Sequence, residues 1–152
     1  MNGTTTMIKT ARRSLLTLTT LAMCSMLAPL AAQAQTNTAK HKVVFQVSDA
    51  DPQKWNLTLN NAKNVADELG EDAVEMEIVV YGPAIGMLKA DSAVGKRVAD
   101  ALKNGTKVVA CENTMKTQKL VYADMLPNIG YAPAGVVELM QKQREGFAYI
   151  RP

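Results

Sequence analysis

The sequence predicts an α/β fold: a mostly parallel sheet of about five strands with helices on both faces. Three observations predict it. Short apolar runs rich in β-branched residues alternate with segments of helical period from residue 42 to residue 150. Gly, Pro and Asn mark the changes of period. The resulting order, β-α-β-α-β-α-β-α-β, is built from parallel strands joined by right-handed crossovers.

Each element has its own justification. Lys42-Val43-Val44-Phe45-Gln46-Val47 is short, apolar and β-branched, and reads as a buried strand. Asp51-Pro52 then supplies an N-cap followed by Pro at the first helical position. Trp55, Leu59, Ala62, Ala66 and Leu69 recur at helical spacing, and Gly70 stops the helix. The second strand runs from Val74 to Tyr81, with Val74, Met76, Ile78 and Val80 alternating with Glu75, Glu77 and Val79. Gly82-Pro83 closes it, and Ala84 to Ala90 is read as a short helical turn. Asp91 or Ser92 is expected to cap a helix through Val94, Val98 and Leu102, ending at Asn104-Gly105. Lys107 to Cys111 is the third strand. Asn113 or Thr114 is expected to cap a helix carrying Leu120 and Val121. Ile129 to Ala132 is a short strand. Pro133 to Arg144 is a helix with Val136, Val137, Leu139 and Met140 on it. Gly146 ends that helix, and Phe147 to Ile150 is the last strand.

The amino terminus carries a different signal. Lys9, Arg12 and Arg13 precede an apolar stretch from Leu15 to Ala32, and Ala32-Gln33-Ala34 is the small-x-small pattern that a signal peptidase reads. Residues 1–34 are therefore expected to be a cleaved export signal. Thr17, Thr19, Thr20, Ser25 and Pro29 dilute its apolar stretch too much for a span, which needs ~20 apolar residues. Arg12-Arg13-Ser14-Leu15-Leu16 fits an ordinary Sec n-region better than the twin-arginine motif that it also resembles. Residues 35–40 read as a polar leader and 41–152 as one domain. The expected location is the periplasm.

Removing the signal changes the charge. The chain has 17 Lys+Arg against 14 Asp+Glu, a net charge of +3, and three of the basic residues lie in the signal. The mature chain is then neutral, so the basic excess that marks a nucleic-acid binder is absent. Once the signal is gone, no membrane contact is expected. Cys24 leaves too, and Cys111 remains as the single cysteine of the mature chain. In an oxidising compartment such a thiol is buried and inert, paired to another chain, or chemically used.

Ligands of parallel sheets bind beyond the carboxyl ends of the strands, which directs attention to 48–56, 81–88 and 111–115. Cys111 ends a strand just before a helix, where free N–H groups and the helix dipole favour a thiolate. Glu112 opposes this, because an adjacent carboxylate raises a thiol pKa. His41, the single histidine, precedes the first strand and lies at the wrong end of the sheet to serve as a base for Cys111. Cys111 and Met115 are soft ligands four residues apart but lack a third, so no metal is predicted, and no cofactor. Asp49 and Asp51 lie at the same sheet edge, where turn and cap roles also account for them. Trp55, Met76 and Met140 read as core.

Several stretches together resemble one family. They are Val43-Val44-Phe45-Gln46-Val47 followed by Asp51-Pro52-x-x-Trp55; Leu59-Asn60-Asn61-Ala62-x-Asn64; Val79-Val80-Tyr81-Gly82-Pro83-Ala84-Ile85; Val109-Ala110-Cys111-Glu112-Asn113-Thr114-Met115; Pro133-Ala134-Gly135-Val136-Val137-Glu138-Leu139; and Gln143-Arg144-Glu145-Gly146-Phe147-Ala148-Tyr149-Ile150. In order and spacing they resemble the DsrE/DsrF-like sulfur-relay family, over 41–152. The resemblance implies a three-layer α/β/α sandwich and a homo-oligomer, trimer or hexamer. It also implies a persulfide-forming cysteine, here Cys111, that exchanges sulfur with a donor or acceptor protein.

Three readings follow. The first is a sulfur carrier using Cys111. The second is a non-catalytic module holding a small ligand at the sheet edge through Asn113, Thr114, Tyr81, Gly82 and Asp49. The third is a structural oligomer whose cysteine is unreactive or links subunits.

Overall fold

The structure, a computed structural model, describes residues 40–152. The expected export signal 1–34 and all but the last residue of the polar leader 35–40 lie outside the described residues. No described helix is long and apolar enough to cross a membrane.

Five strands form one sheet: β1 (His41–Val47), β2 (Val74–Val80), β3 (Lys107–Cys111), β4 (Gly130–Ala132) and β5 (Ala148–Ile150). Their order is β4-β3-β2-β1-β5, and every neighbouring pair is parallel. Four α-helices connect them: α1 (Pro52–Leu69), α2 (Gly95–Lys103), α3 (Glu112–Thr117) and α4 (Gly135–Arg144). The chain steps from β1 through β2 and β3 to β4 in one direction, then returns across the sheet to β5. With right-handed crossovers that reversal sends the last helix to the opposite face, and the packing agrees.

One face is thick. Phe45, Ile78 and Val80 pack there against Trp55, Leu59, Ala62 and Ala66 of α1, Val98 of α2, and Ile85, Met87 and Leu88 of a 3₁₀ stretch spanning Gly82–Leu88. The other face is thin. Val44 and Val79 meet Leu139 of α4 and Phe147, with Tyr81 packed alongside. The architecture is the three-layer α/β/α sandwich with a parallel sheet.

Local chemistry explains most boundaries. The Asp51 carboxylate accepts the Gln53 N–H at 2.8 Å and so caps α1, with Pro52 at its first position. Trp55 is buried and its indole N–H donates to the Asp49 carbonyl at 2.7 Å.

Four expectations are corrected. α2 begins at Gly95, not at Asp91 or Ser92, because Ser92 closes a turn of its own: its carbonyl accepts from Gly95 N–H at 3.0 Å and its hydroxyl from Val94 N–H at 3.3 Å. α3 starts at Glu112 with Cys111 itself as the N-cap, and it ends at Thr117. Leu120 and Val121 are therefore off the helix, with Leu120 N–H bonded back to Met115 O at 2.9 Å. Met140 is exposed, not core, as are Val136 and Val137, because α4 turns only Gly135 and Leu139 fully into the sheet. Glu77 is buried although it stands in the polar phase of the β2 alternation, because α4 covers that face too.

Candidate functional site

Cys111 lies where the connections diverge. The chain leaves β3 into α3, whose Met115 packs on the thick face, whereas it leaves neighbouring β4 into α4 on the thin face. The crevice between two such strand ends is the usual ligand position of an open parallel sheet. Both outgoing turns are tied together there: Asn113 N–H donates to Pro133 O at 3.1 Å.

Cys111 is the N-cap of α3 and is only 5% exposed. Burial pushes its thiol pKa up, but donors outweigh that effect. The Thr114 hydroxyl contributes most, followed by the backbone N–H groups of Gly135, Thr114 and Asn113, and the pKa lies below its ordinary value. A sulfur facing several donors is stabilised as the anion. Gly135 opens α4, so its N–H has no partner within the helix and is free for the sulfur.

Gly135 was not singled out from the sequence, and its role is steric as well. A Cβ at this position would stand 3.1 Å from Tyr81 Cβ and 3.3 Å from Cys111 Cβ. The missing side chain lets the end of α4 approach the thiol. Nothing in the sequence signals this, because the approach joins residues far apart in the chain.

The expected binding residues divide into two groups. Gly82, Asn113 and Thr114 come together: Gly82 N–H donates to Thr114 Oγ1 at 2.9 Å. They share an open groove of about 490 Å³ with Pro83, Thr117 and Gln118. Tyr81 packs behind Gly135 against the thin-face core. Asp49 is not joined to them. Its carboxylate pairs with Arg151 at 3.5 Å, beyond the edge strand β5 on the far side of β1.

Glu112, the first residue of α3, has its own partner at the edge of the site. Its carboxylate accepts the Tyr122 hydroxyl proton at 2.5 Å, and Tyr122 stacks edge-on against Tyr131 with ring centres 4.6 Å apart. That contact turns the charge toward a neighbouring groove lined by Leu120, Val121, Tyr122 and Pro133. His41 is exposed at the amino end of β1. The parallel register places Cys111 one step past the end of β2, about seven residues along, so roughly 20 Å separate it from His41. Among the described residues no group of three or more His, Cys, Asp or Glu side chains is placed to hold a metal ion.

The sequence model of the DsrE/DsrF-like family matches residues 41–152. No curated protein matches the chain. Among solved structures, a protein of unknown function from Methanobacterium thermoautotrophicum is similar at 29% identity and a TM-score of 0.71, with 74% of this chain and 100% of that one covered. A conserved protein of unknown function from Bacteroides thetaiotaomicron has the same fold at 13% identity and a TM-score of 0.60, covering 73% and 94%. The ychN protein from E. coli shares the fold at 11% identity and a TM-score of 0.60, covering 75% and 99%.

Proposed function

The chain belongs to the DsrE/DsrF-like family of sulfur-relay proteins, and on that premise we propose that it is an exported sulfur carrier whose persulfide forms on Cys111. The observation that carries this reading is the thiol's surroundings: a single cysteine at the divergence of two strand ends, with donors that lower its pKa.

Two exchange steps suffice, and neither changes the net oxidation state. The Cys111 thiolate attacks the outer sulfur of a donor persulfide or polysulfide. A sulfur–sulfur bond forms to Cys111, the donor's bond breaks, and the donor leaves as a thiolate. The outer sulfur keeps its proton or gives it to water. An acceptor thiolate then attacks that outer sulfur, and Cys111 departs as the thiolate. A lowered thiol pKa raises the thiolate fraction for the first step and improves the leaving group in the second. No histidine base is needed. Because Cys111 is 5% exposed, donor and acceptor must bring a narrow sulfur group to it; the groove at Gly82, Asn113 and Thr114, which Cys111 itself does not line, would seat the rest of either partner.

The test uses protein recovered from the periplasmic fraction and incubated with polysulfide. Its intact mass is read before and after reduction. The expected species begins at Gln35, gains one sulfur atom, loses it on reduction, and fails to load in Cys111→Ser. A chain that never loads, with a thiol that resists alkylation while folded, rejects the carrier reading. The groove lined by Gly82, Pro83, Asn113 and Thr114 favours a second reading in that event: a small-ligand module whose ligand raises the melting temperature equally in Cys111→Ser.

A further inference from the structure

Glu77 is a buried charge that sulfur carriage leaves unused. It lies at the centre of β2, 3% exposed, beneath α4. Among the described residues its Oε1 has no hydrogen-bond partner. Its Oε2 is 3.5 Å from Lys142 Nζ, which is also 3.7 Å from Glu138 Oε1 and 3.2 Å from Glu145 Oε2. Three carboxyl groups thus share one ammonium, and the Glu138 charge adds to burial in raising the Glu77 pKa.

The other charges around Glu77 are accounted for. On β1, Lys42 donates to the Glu145 carbonyl at 3.3 Å and stands over the Phe147 ring. On β2 and β3, Glu75 and Lys107 pair with each other at 3.1 Å. His41 belongs to the opposite phase of β1. Among the described residues no cation besides Lys142 pairs with Glu77.

We propose that Glu77, Glu138 and Lys142 form a proton-operated latch under α4, which regulates the Cys111 thiol through the seating of that helix. The functional half of this rests on the carrier reading; the latch itself does not. With its proton on, Glu77 donates to the Glu138 carboxylate, whose charge Lys142 matches, while the Glu145 carboxylate stands in solvent at the rim. When the proton leaves to water, a second negative charge enters the same buried site. Its orphaned oxygen then demands hydration, and α4 must lift to admit it. Gly135, the first residue of α4, sits so close that a Cβ on it would stand 3.3 Å from Cys111 Cβ, and its N–H helps to lower the thiol pKa, so lifting the helix weakens that effect.

The sign follows from the titration. Burial, with Glu138 adding to it and Lys142 opposing, raises the Glu77 pKa from 4.5 to about 7. The folded state therefore holds this proton more tightly than the unfolded chain. Stability from this group is complete below pH 4.5 and is lost as the pH rises to about 7. Glu75 works in the opposite sense and below that window, since the Lys107 hydrogen bond lowers its pKa.

The test compares mature wild type with Glu77→Gln and Glu138→Gln between pH 5 and pH 8. Melting temperature and the rate of Cys111 alkylation are read in parallel. Wild type is expected to lose about 5 °C or more across this range beyond any loss in Glu77→Gln. The pH profile of alkylation should place the Cys111 pKa lower in Glu77→Gln than in wild type, whatever the difference in access between them. Glu138→Gln should move the melting step to lower pH, and it keeps the test decisive if Glu77→Gln does not fold. Parallel melting profiles in all three proteins would overturn the latch. A melting difference with the same Cys111 pKa in both would overturn its coupling to the thiol. A failure to load sulfur with both differences intact would count against the carrier reading alone.

Discussion

At the residue scale, the candidate site depends on which atoms give protons to one sulfur. Thr114 is placed to do so because its oxygen already accepts from Gly82 N–H at 2.9 Å, which leaves the hydroxyl hydrogen for Cys111. Thr114→Val keeps the side-chain shape and removes that donor. Its thiol pKa is expected to rise, and its alkylation rate at pH 7 to fall about three- to tenfold. Thr114→Ser should restore most of the rate. A pH profile of alkylation reads both; equal rates for Thr114→Val and wild type would remove Thr114 from the site. The orphaned Gly82 N–H should also cost Thr114→Val about 1 kcal/mol of stability.

At the element scale, three helices end in the same way. The residue after the cap takes a left-handed conformation, and two backbone bonds fold back onto the last turn. α2 ends at Gly105 with φ 81°, and α4 at Gly146 with φ 88°. Thr106 N–H and Phe147 N–H reach back to Ala101 O and Lys142 O at 3.0 Å each. α3 ends identically, but its left-handed residue is Lys119, at φ 59°. That position strains an L residue, since its Cβ crowds the following carbonyl. Lys119→Gly should therefore raise stability by about 0.5–1 kcal/mol, and Gly146→Ala should lower it by about 1 kcal/mol. Urea unfolding measures both, as midpoint shifts at unchanged slope. An unchanged or lowered midpoint for Lys119→Gly would contradict the strain argument.

At the scale of the whole molecule, the two faces of the sheet are unequally covered. The thick face carries α1, α2 and the 3₁₀ stretch. The thin face carries α4, whose outer side exposes Val136, Val137 and Met140 at 54%, 49% and 58%. Val121 and Tyr122 are exposed as well. Val136, Val137 and Met140 share the exposed side of α4 and suit an interface between subunits, as the homo-oligomer, trimer or hexamer, implied by the family resemblance would require. A stable interface needs roughly 800 Å² per partner, so these residues would form its centre and their polar neighbours its rim. Light scattering of the mature protein should then give three or six times the protomer mass. The double variant Val137→Glu with Met140→Glu should run as the protomer with unchanged helical content. A protomer-sized wild type would reject the oligomer.

Legibility in the sequence followed the range of the interaction. The Asp51-Pro52 start of α1, the Gly70, Gly105 and Gly146 stops, and the five strands were all legible, because each is fixed by residues within a few positions of one another. The starts of α2 and α3 were not, since Ser92 and Cys111 take roles set by competing turns and packing. Cys111, Asn113, Thr114 and Gly82 were legible as candidates from their places at strand ends. Gly135 was not, because its requirement is the absence of a Cβ against Tyr81 and Cys111. Nor was Glu77, whose alternation predicts solvent until α4 is laid over it. Periodicity, caps and chirality, all local, set the order and type of the elements and hence the parallel sheet. Packing set which groups lower the thiol's pKa, which carboxylate is buried, and which face of α4 stays bare. Those outcomes depend on contacts between distant segments, and no local pattern encodes them.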